Sequence, residues 1–250
     1  RDGNLELVKY LVENGADVNA INDNGKNLLF NAVGGDTLYA VKFLFFIGRM
    51  GQIDNGIISP PSGNTIKGDL EVVKYLVEKG LDVNAKDIND VTLLFAAASG
   101  GNLEIVKYLV EKGLDINAKC KHGETPLFAA ACSGNVEVVK YFIEKGLNAK
   151  EKNEYGTTPL MYAAVEGDVN FVKYFIEKDT DLNAEDKFGE TPLFGAALGS
   201  NLEVVKYLVE KGANVNSKSK DGRTPLDNTQ NEEVKKFLHD NGGKSGKELE

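Results

Sequence analysis

The chain has 250 residues, of which 42% are hydrophobic and 27% charged, and its formal net charge is −9. This composition is that of an ordinary globular domain. An acidic surface repels phosphate backbones, which disfavours nucleic acid as a partner. The longest apolar run, Phe43 to Ile47, is far shorter than the roughly 20 residues that span a bilayer, so we expect no membrane insertion.

The cysteine content indicates a reducing compartment. Two cysteines, Cys120 and Cys132, do not make a disulfide framework in a chain of this length, and no Asn-x-Ser/Thr sequon occurs. Both features fit an intracellular protein, so we expect a cytoplasmic location, with the nucleus as the alternative. The sequence begins at Arg1 in the middle of a repeated unit. We therefore expect this chain to be a piece of a longer protein.

One sequence unit recurs along the whole chain. "LEVVKYLVEKGLDVNAKD" begins at Leu70 and "LEIVKYLVEKGLDINAKC" at Leu103, 33 residues later. The aromatic of "VKY" and its variants marks the period, and it falls at Tyr10, Phe43, Tyr75, Tyr108, Tyr141, Tyr174, Tyr207 and Phe237. A constant period of this length predicts a repeat protein in which each copy is one supersecondary unit.

Each period predicts two helices. In "ETPLFAAA", from Glu124, Thr125 suits the N-cap of a first helix and Pro126 its first position. In the second helix Val106, Leu109 and Val110 follow the i, i+3, i+4 rule and form an apolar stripe. Glycines such as Gly113 then suit the left-handed position after a helix.

The repeats divide the chain in order. We predict one domain over residues 1–241, made of a half-repeat (1–22), six repeats (23–55, 56–87, 88–120, 121–153, 154–186 and 187–219) and a polar C-terminal cap (220–241). Residues 242–250 are expected to be disordered. A lone unit has one apolar face and nothing to bury it against, so stability requires that neighbours stack.

This pattern resembles the ankyrin repeat, through its period, its Thr-Pro-Leu motif and its Asp-Val-Asn runs. The resemblance covers Gly3 to about Gly242. It implies an all-α solenoid of stacked helix–turn–helix units with projecting β-turn or hairpin loops. Where the family has Thr-Pro-Leu-His, this chain has Phe or Met in place of His, at Phe30, Phe95, Phe128, Met161 and Phe194. We expect that column to lie in the core.

Two stretches depart from the pattern. Around residues 48–66, Pro61 replaces a core leucine, and Gly63 and Asn64 replace packing alanines. This stretch is a decayed repeat, a hinge or a distinct binding cleft. In the fourth repeat Lys150 stands where other repeats have Asn, and at Asp179 the usual glycine is absent, which predicts strain at that helix end.

No catalytic motif is present. The sequence has no phosphate-binding loop, nucleophile elbow or His-Glu-x-x-His pattern, so we expect no enzyme activity and no cofactor. Cys120, His122 and Cys132 lie within 13 residues of one another in the sequence, but three side chains at this spacing fall short of a structural zinc site. We therefore predict no metal.

The resemblance implies that a protein partner binds the concave face, which is formed by the projecting loops and the ends of the first helices. Within that face, we expect the partner to contact the positions that vary between repeats. They are Ile88, Asn89, Val91, Ser99, Lys121, His122, Glu124, Cys132, Ser133, Glu154, Tyr155, Thr157, Val165, Glu166, Lys187, Phe188, Glu190, Leu198, Asp221 and Arg223. Tyr155 and Phe188 are the candidate anchors, since aromatic residues dominate interface energetics.

Three functional hypotheses are consistent with the sequence. The first is a monomeric, non-catalytic protein-interaction scaffold. The second is the targeting or regulatory arm of a larger enzyme or channel whose functional part lies outside this chain. The third is a designed consensus array, against which the irregular stretch at residues 48–66 argues.

Overall fold

The structure is a computed structural model, and it describes residues 5, 9, 12–13, 21, 24–27, 30, 32–33 and 70–250. From Leu70 onward the chain forms ten α-helices and two short 3-10 helices, and no β-strand beyond isolated bridge pairs. The predicted all-α class is thereby confirmed. No helix in the described part of the chain is long and apolar enough to cross a membrane.

The chain divides into two compact units, Arg1–Lys121 and His122–Glu250. In the first unit the helices after residue 69 are α1 (Leu70–Glu78), α2 (Leu93–Ser99) and α3 (Leu103–Glu111). The second unit contains α4 (Pro126–Ser133), α5 (Val136–Glu144), α6 (Pro159–Glu166), α7 (Val169–Glu177), α8 (Pro192–Leu198), α9 (Leu202–Glu210), a 3-10 helix (Pro225–Asn228), α10 (Glu232–Asp240) and a last 3-10 turn (Gly246–Leu249).

Side-chain caps start the second helix of each pair. Asn102 accepts hydrogen bonds from the amides of Glu104 and Ile105, and Asn135, Asp168, Asn201 and Asn231 cap the following second helices in the same way. The threonines before the first helices behave differently from one another. Thr158 caps α6, whereas the Thr125 hydroxyl donates to Glu151 of the next loop instead.

The core lies along the helix faces predicted by the period. Ile105, Val106 and Leu109 are fully buried on α3, and Val110 is half-buried. The column that replaces the family histidine is also internal, because Phe30, Phe128, Met161 and Phe194 are at most 2% exposed and Phe95 is half-buried. That column is therefore apolar packing, as predicted.

Backbone hydrogen bonds join the loops that precede successive first helices. We call the residue at the turn of each loop its tip: Asn24, Asn89, His122, Tyr155, Phe188 and Asp221. In the second unit the amides of Glu154, Lys187 and Lys220 donate to the carbonyl oxygens of the tips His122, Tyr155 and Phe188, over 3.0, 2.7 and 2.8 Å. In the first unit the amide of Lys121 donates to Asn89 over 2.9 Å. Each of these donors lies 32 residues after its acceptor, so the ladder fixes one stacking register.

The first rung of this ladder spans twice that distance in sequence. The amide of Ile88 donates to the tip carbonyl of Asn24 over 3.1 Å, and Lys26 Nζ lies 3.8 Å from Asp87 Oδ2. The predicted boundary between the repeats 23–55 and 56–87, and the irregular stretch at 48–66, lie outside the described residues.

A paired substitution occupies one joint of the second unit. Asn183 bonds the Gly212 carbonyl and the Asn214 amide of the following repeat. One repeat earlier, Lys150 replaces this Asn and Asp179 replaces this Gly, and Lys150 Nζ donates to Asp179 Oδ2 over 2.7 Å. Asp179 has a φ of 57°, as the missing glycine predicted. An ion pair therefore replaces an amide clasp at the same place.

The C-terminal segment is ordered, which differs from the expected disorder of residues 242–250. Asn216 bonds Gly242 O and the Lys244 amide, just as Asn183 holds the loop of its following repeat. The Gly246 amide donates to Asp227 Oδ2 over 2.7 Å. Burial alone would raise the pKa of Asp227, but this bond and those from Thr224 bring it below its usual value. The segment thus takes the place of one further loop.

Lys26 and Asp87 should be energetically coupled. The side chains are 11% and 5% exposed, so the pair is poorly screened by solvent. Lys26→Met and Asp87→Asn should show a coupling free energy of about 1 kcal/mol in a double-mutant cycle of urea unfolding. Asn at this position keeps the turn, as Asn153 does in its own loop. Additive effects within about 0.3 kcal/mol would show that the two residues do not touch.

Gly246→Ala should release the C-terminal segment. A Cβ at this position would lie 1.8 Å from the Gly222 carbonyl oxygen, which no real contact allows. We expect hydrogen-exchange protection of the Lys244 amide to be lost while that of α9 is retained. Lys247→Ala, at an exposed neighbouring position, is the control and should leave the protection unchanged. Full protection of Lys244 in the Gly246 variant would contradict the docking.

Asp179→Gly should raise the melting temperature by about 2 °C, because it removes a left-handed non-glycine residue and the ion pair that it gives up is exposed. The matched control is Gly212→Asp. That variant imposes the same strain at a φ of 94°. It lies opposite Asn183, so the new carboxylate has no lysine equivalent to Lys150. It should lower the melting temperature in the same calorimetric scan. A lower melting temperature for Asp179→Gly would mean that the Lys150 pair outweighs the strain.

Candidate protein-interaction surface

The predicted interface residues divide by exposure into three groups. Nine are exposed: Ile88, Asn89, Lys121, Glu154, Glu166, Lys187, Phe188, Leu198 and Asp221. Nine are half-buried: Val91, Ser99, His122, Cys132, Ser133, Tyr155, Val165, Glu190 and Arg223. The remaining two, Glu124 and Thr157, are 4% and 2% exposed. Those two therefore do not offer a partner direct contact area.

The tips of the second unit carry a row of aromatic rings. The His122 and Tyr155 rings have centroids 5.9 Å apart, and Tyr155 Oη lies 3.5 Å from His122 Nδ1. Phe188 follows at the next tip and is 37% exposed. The backbone ladder holds these three tips at successive rungs, so the rings belong to one row.

A second apolar row lies at the ends of the first helices. The same repeat position is occupied by Cys132 in α4, Val165 in α6 and Leu198 in α8. Cys132 and Val165 are half-buried, and Leu198 is 48% exposed. Leu198 is thus the most exposed member of this row, as Phe188 is of the three rings at the tips.

The last tip of the second unit is polar and braced by ion pairs. Arg223 Nη2 lies 3.1 Å from Glu190 Oε1, and Arg223 Nε lies 2.8 Å from Asp221 Oδ2. Arg223 also donates to Asn228 Oδ1 over 2.6 Å. These contacts fix the Arg223 guanidinium in the joint between two repeats, so the predicted interface residue Arg223 has a structural duty as well.

Glu124 is held inside the joint between its loop and the next. Its Oε1 accepts hydrogen bonds from Asn153 Nδ2 over 2.8 Å and from Tyr162 Oη over 3.0 Å. Burial raises the pKa of Glu124 to about 7, against the opposing effect of the hydrogen bonds from Asn153 and Tyr162, and the nearby Glu151 adds to the rise. The repeat pattern identified Glu124 as a surface position and missed Asn153 and Tyr162 altogether.

A signal for this cluster exists in the sequence. At the loop position of Asn153, two other repeats have Asp87 and Asp186, and at the helix position of Tyr162 other repeats have alanine or glycine. Both departures fall one repeat after Glu124 and supply hydrogen-bond donors. Comparing the columns for coincident departures, rather than for variability alone, would have found the set.

Cavities and metal-ligand groups point to no other kind of site in the described residues. A surface cavity of about 530 Å³ lies beside α10 and is lined mostly by polar side chains, which include Glu232, Lys235 and His239. A second, of about 270 Å³, lies around Lys150 and Asp179. In the same part of the chain no group of three or more His, Cys, Asp or Glu side chains is placed to hold a metal ion.

Comparisons with known proteins agree with this geometry. The family model for ankyrin repeats in three copies matches residues 117–186 and 167–245, and the model for many copies matches residues 1–45 and 65–110. The chain is similar to palmitoyltransferase AKR1 of Lachancea kluyveri, with 33% identity over 84 residues. That match covers 32% of this chain and only 11% of the relative's length. Because the family models match most of its residues, the chain belongs to the ankyrin-repeat family.

Proposed function

We propose that this chain is a non-catalytic scaffold that binds a protein partner through the loop tips and first-helix ends of residues 122–250. The observation that carries the proposal is the exposed apolar side chains on those rows, Phe188 at a tip and Leu198 at a helix end. Neither is needed to fill the core, which the second helices and the Phe column already supply. Apolar residues held on a rigid face are typical of binding surfaces.

The ladder makes the tips suitable for recognition. Each tip is bonded backbone to backbone to the next loop, so the main chain that bears the His122, Tyr155 and Phe188 rings is held in place before binding. A surface ordered in advance loses less conformational entropy when a partner binds. The resemblance to the family predicts that this face is the concave one, and that remains part of the proposal.

Charge and thiol content support the rest of the proposal. The net charge of −9 disfavours nucleic acid as the partner. Cys120 and Cys132 are not joined by a disulfide, which fits a reducing compartment, and we place the protein in the cytoplasm. We also propose that it acts as a monomer, which sedimentation at micromolar concentration tests directly.

The test is quantitative affinity capture with the full chain. Tyr155→Ala combined with Phe188→Ala should weaken retention of the partner by at least about tenfold, as expected for removal of two aromatic anchors. The matched control is Tyr141→Ala with Tyr174→Ala, which removes two half-buried aromatic rings from the second helices. Proteins retained by wild type and control but lost from the tip variant are the expected result. Equal retention by all three would place the binding face elsewhere.

A second candidate rests on the match to the palmitoyltransferase. Since that relative is an enzyme and the match covers 11% of it, the shared part is the repeats, and this chain is then the regulatory arm of a larger protein. The coding frame that contains these residues decides between the two. A frame that continues into a catalytic domain supports the arm, and one that encodes repeats alone supports the scaffold.

A further inference from the structure

The joint between the loops around Glu124 and Asn153 contains an acid inside a network of donors. Glu124 is 4% exposed, Asn153 6% and Tyr162 4%. Both donors, Asn153 Nδ2 and Tyr162 Oη, meet the same oxygen of Glu124. A buried carboxyl group is costly when ionised, unless a positive charge or several hydrogen bonds compensate it.

Asn153 connects this acid to a loop tip. Its Oδ1 accepts hydrogen bonds from the amides of Tyr155 and Thr157, over 2.9 and 3.0 Å, and so holds the turn that presents the Tyr155 ring. Asp186 holds the next turn in the same way with a carboxylate. Unlike Asp186, Asn153 also has an N–H to donate to Glu124, so it bonds both the turn and the acid.

The same chain contains a natural comparison. Glu190 occupies the position of Glu124 two repeats later, and there Arg223 supplies a guanidinium 3.1 Å away. The residue equivalent to Arg223 beside Glu124 is the buried Thr157. Among the described residues, no lysine or arginine forms an ion pair with Glu124. The negative charge of an ionised Glu124 is therefore not compensated by an ion pair of the kind that Glu190 makes with Arg223.

The other titratable groups of the joint add little positive charge. Glu151 lies on the Asn153 loop, accepts from the Thr125 hydroxyl and repels a charge on Glu124. Lys152, on the same loop, donates to the Glu185 carbonyl of the following repeat over 3.1 Å. His122 contacts Tyr155, and the exposed Glu154 completes the loop. The pKa of Glu124, raised to about 7 chiefly by burial, reflects this environment.

We propose that Glu124 is a proton-controlled clasp, which holds the Tyr155 loop against the preceding loop when protonated and loosens this joint when ionised. The clasp itself does not depend on a partner. Its consequence, that presentation of Tyr155 varies with pH near neutrality, rests on the proposed function of that tip.

The direction follows from proton linkage. The folded joint binds the Glu124 proton more tightly than an opened one, where the carboxyl returns to an ordinary pKa of about 4.5. Stability from this group is therefore complete below pH 4.5, decreases as the pH rises toward 7, and is constant above it. A difference of this size corresponds to a change on the order of a hundredfold in the opening equilibrium.

Hydrogen exchange on the full chain tests the clasp without a partner. Protection factors of the Tyr155 and Thr157 amides, corrected for intrinsic exchange, should decrease by at least about tenfold between pH 5.5 and 8 in the wild type. In Glu124→Gln they should stay constant, because the neutral amide keeps the acceptor oxygen. The control Glu190→Gln should retain the wild-type dependence at these two amides.

A direct titration keeps the proposal falsifiable if Glu124→Gln folds poorly. The side-chain carboxyl carbon of Glu124, followed by NMR in the wild type, should titrate with a midpoint near 7. Asn153→Asp, which places a second carboxylate against it, should move that midpoint upward. A midpoint below 5, or equal loss of protection in wild type and Glu124→Gln, would overturn the clasp. If the clasp titrates as expected but partner binding does not change with pH, the proposed role of Tyr155 is wrong.

Discussion

The structure depends on one recurrent backbone hydrogen bond, from the residue before each tip to the carbonyl of the preceding tip. It is independent of side-chain identity, so repeats of different composition keep one register. Tips as different as Asn89, His122 and Phe188 all accept it. Once this bond sets the spacing, the Phe column and the second helices meet their equivalents in the next copy. Each repeat is stabilised by its neighbours, against which it buries the apolar face that it could not bury alone.

Since each repeat touches only its neighbours, departures from the pattern are compensated locally and in pairs. Lys150 and Asp179 replace an amide and a glycine that hold the equivalent joint elsewhere. Glu124 and Asn153 are also a compensating pair. The Asn153 amide donates to Glu124, whereas an Asp at this position would place a second carboxylate against it. In both cases a substitution that is unfavourable alone has a partner one repeat away. The joints therefore differ chemically while their geometry stays the same.

The period predicted the fold from sequence because it reflects the same stacking physics. Gly113 has the left-handed backbone that its place in the sequence predicts, and Thr125 lies at the N-cap position of α4, although its hydroxyl bonds Glu151 rather than the helix. The contact between Asn24 and Ile88 was not predictable in this way. Residues 23–87 have the length of two periods less one residue, and only a contact between distant residues shows that their ends are adjacent in the stack.

The candidate site was predicted with less success for a related reason. Variability between repeats selected Phe188 and Leu198, which are exposed in the structure, because a position with no packing duty varies freely. It also selected Glu124, which varies because its environment is peculiar to one joint. A position varies between repeats either because its side chain is exposed or because it compensates for a change in the neighbouring repeat. A single sequence does not distinguish these two causes. A variable position is a surface candidate only when no coincident departure occurs one repeat away, a test that Phe188 passes and Glu124 fails.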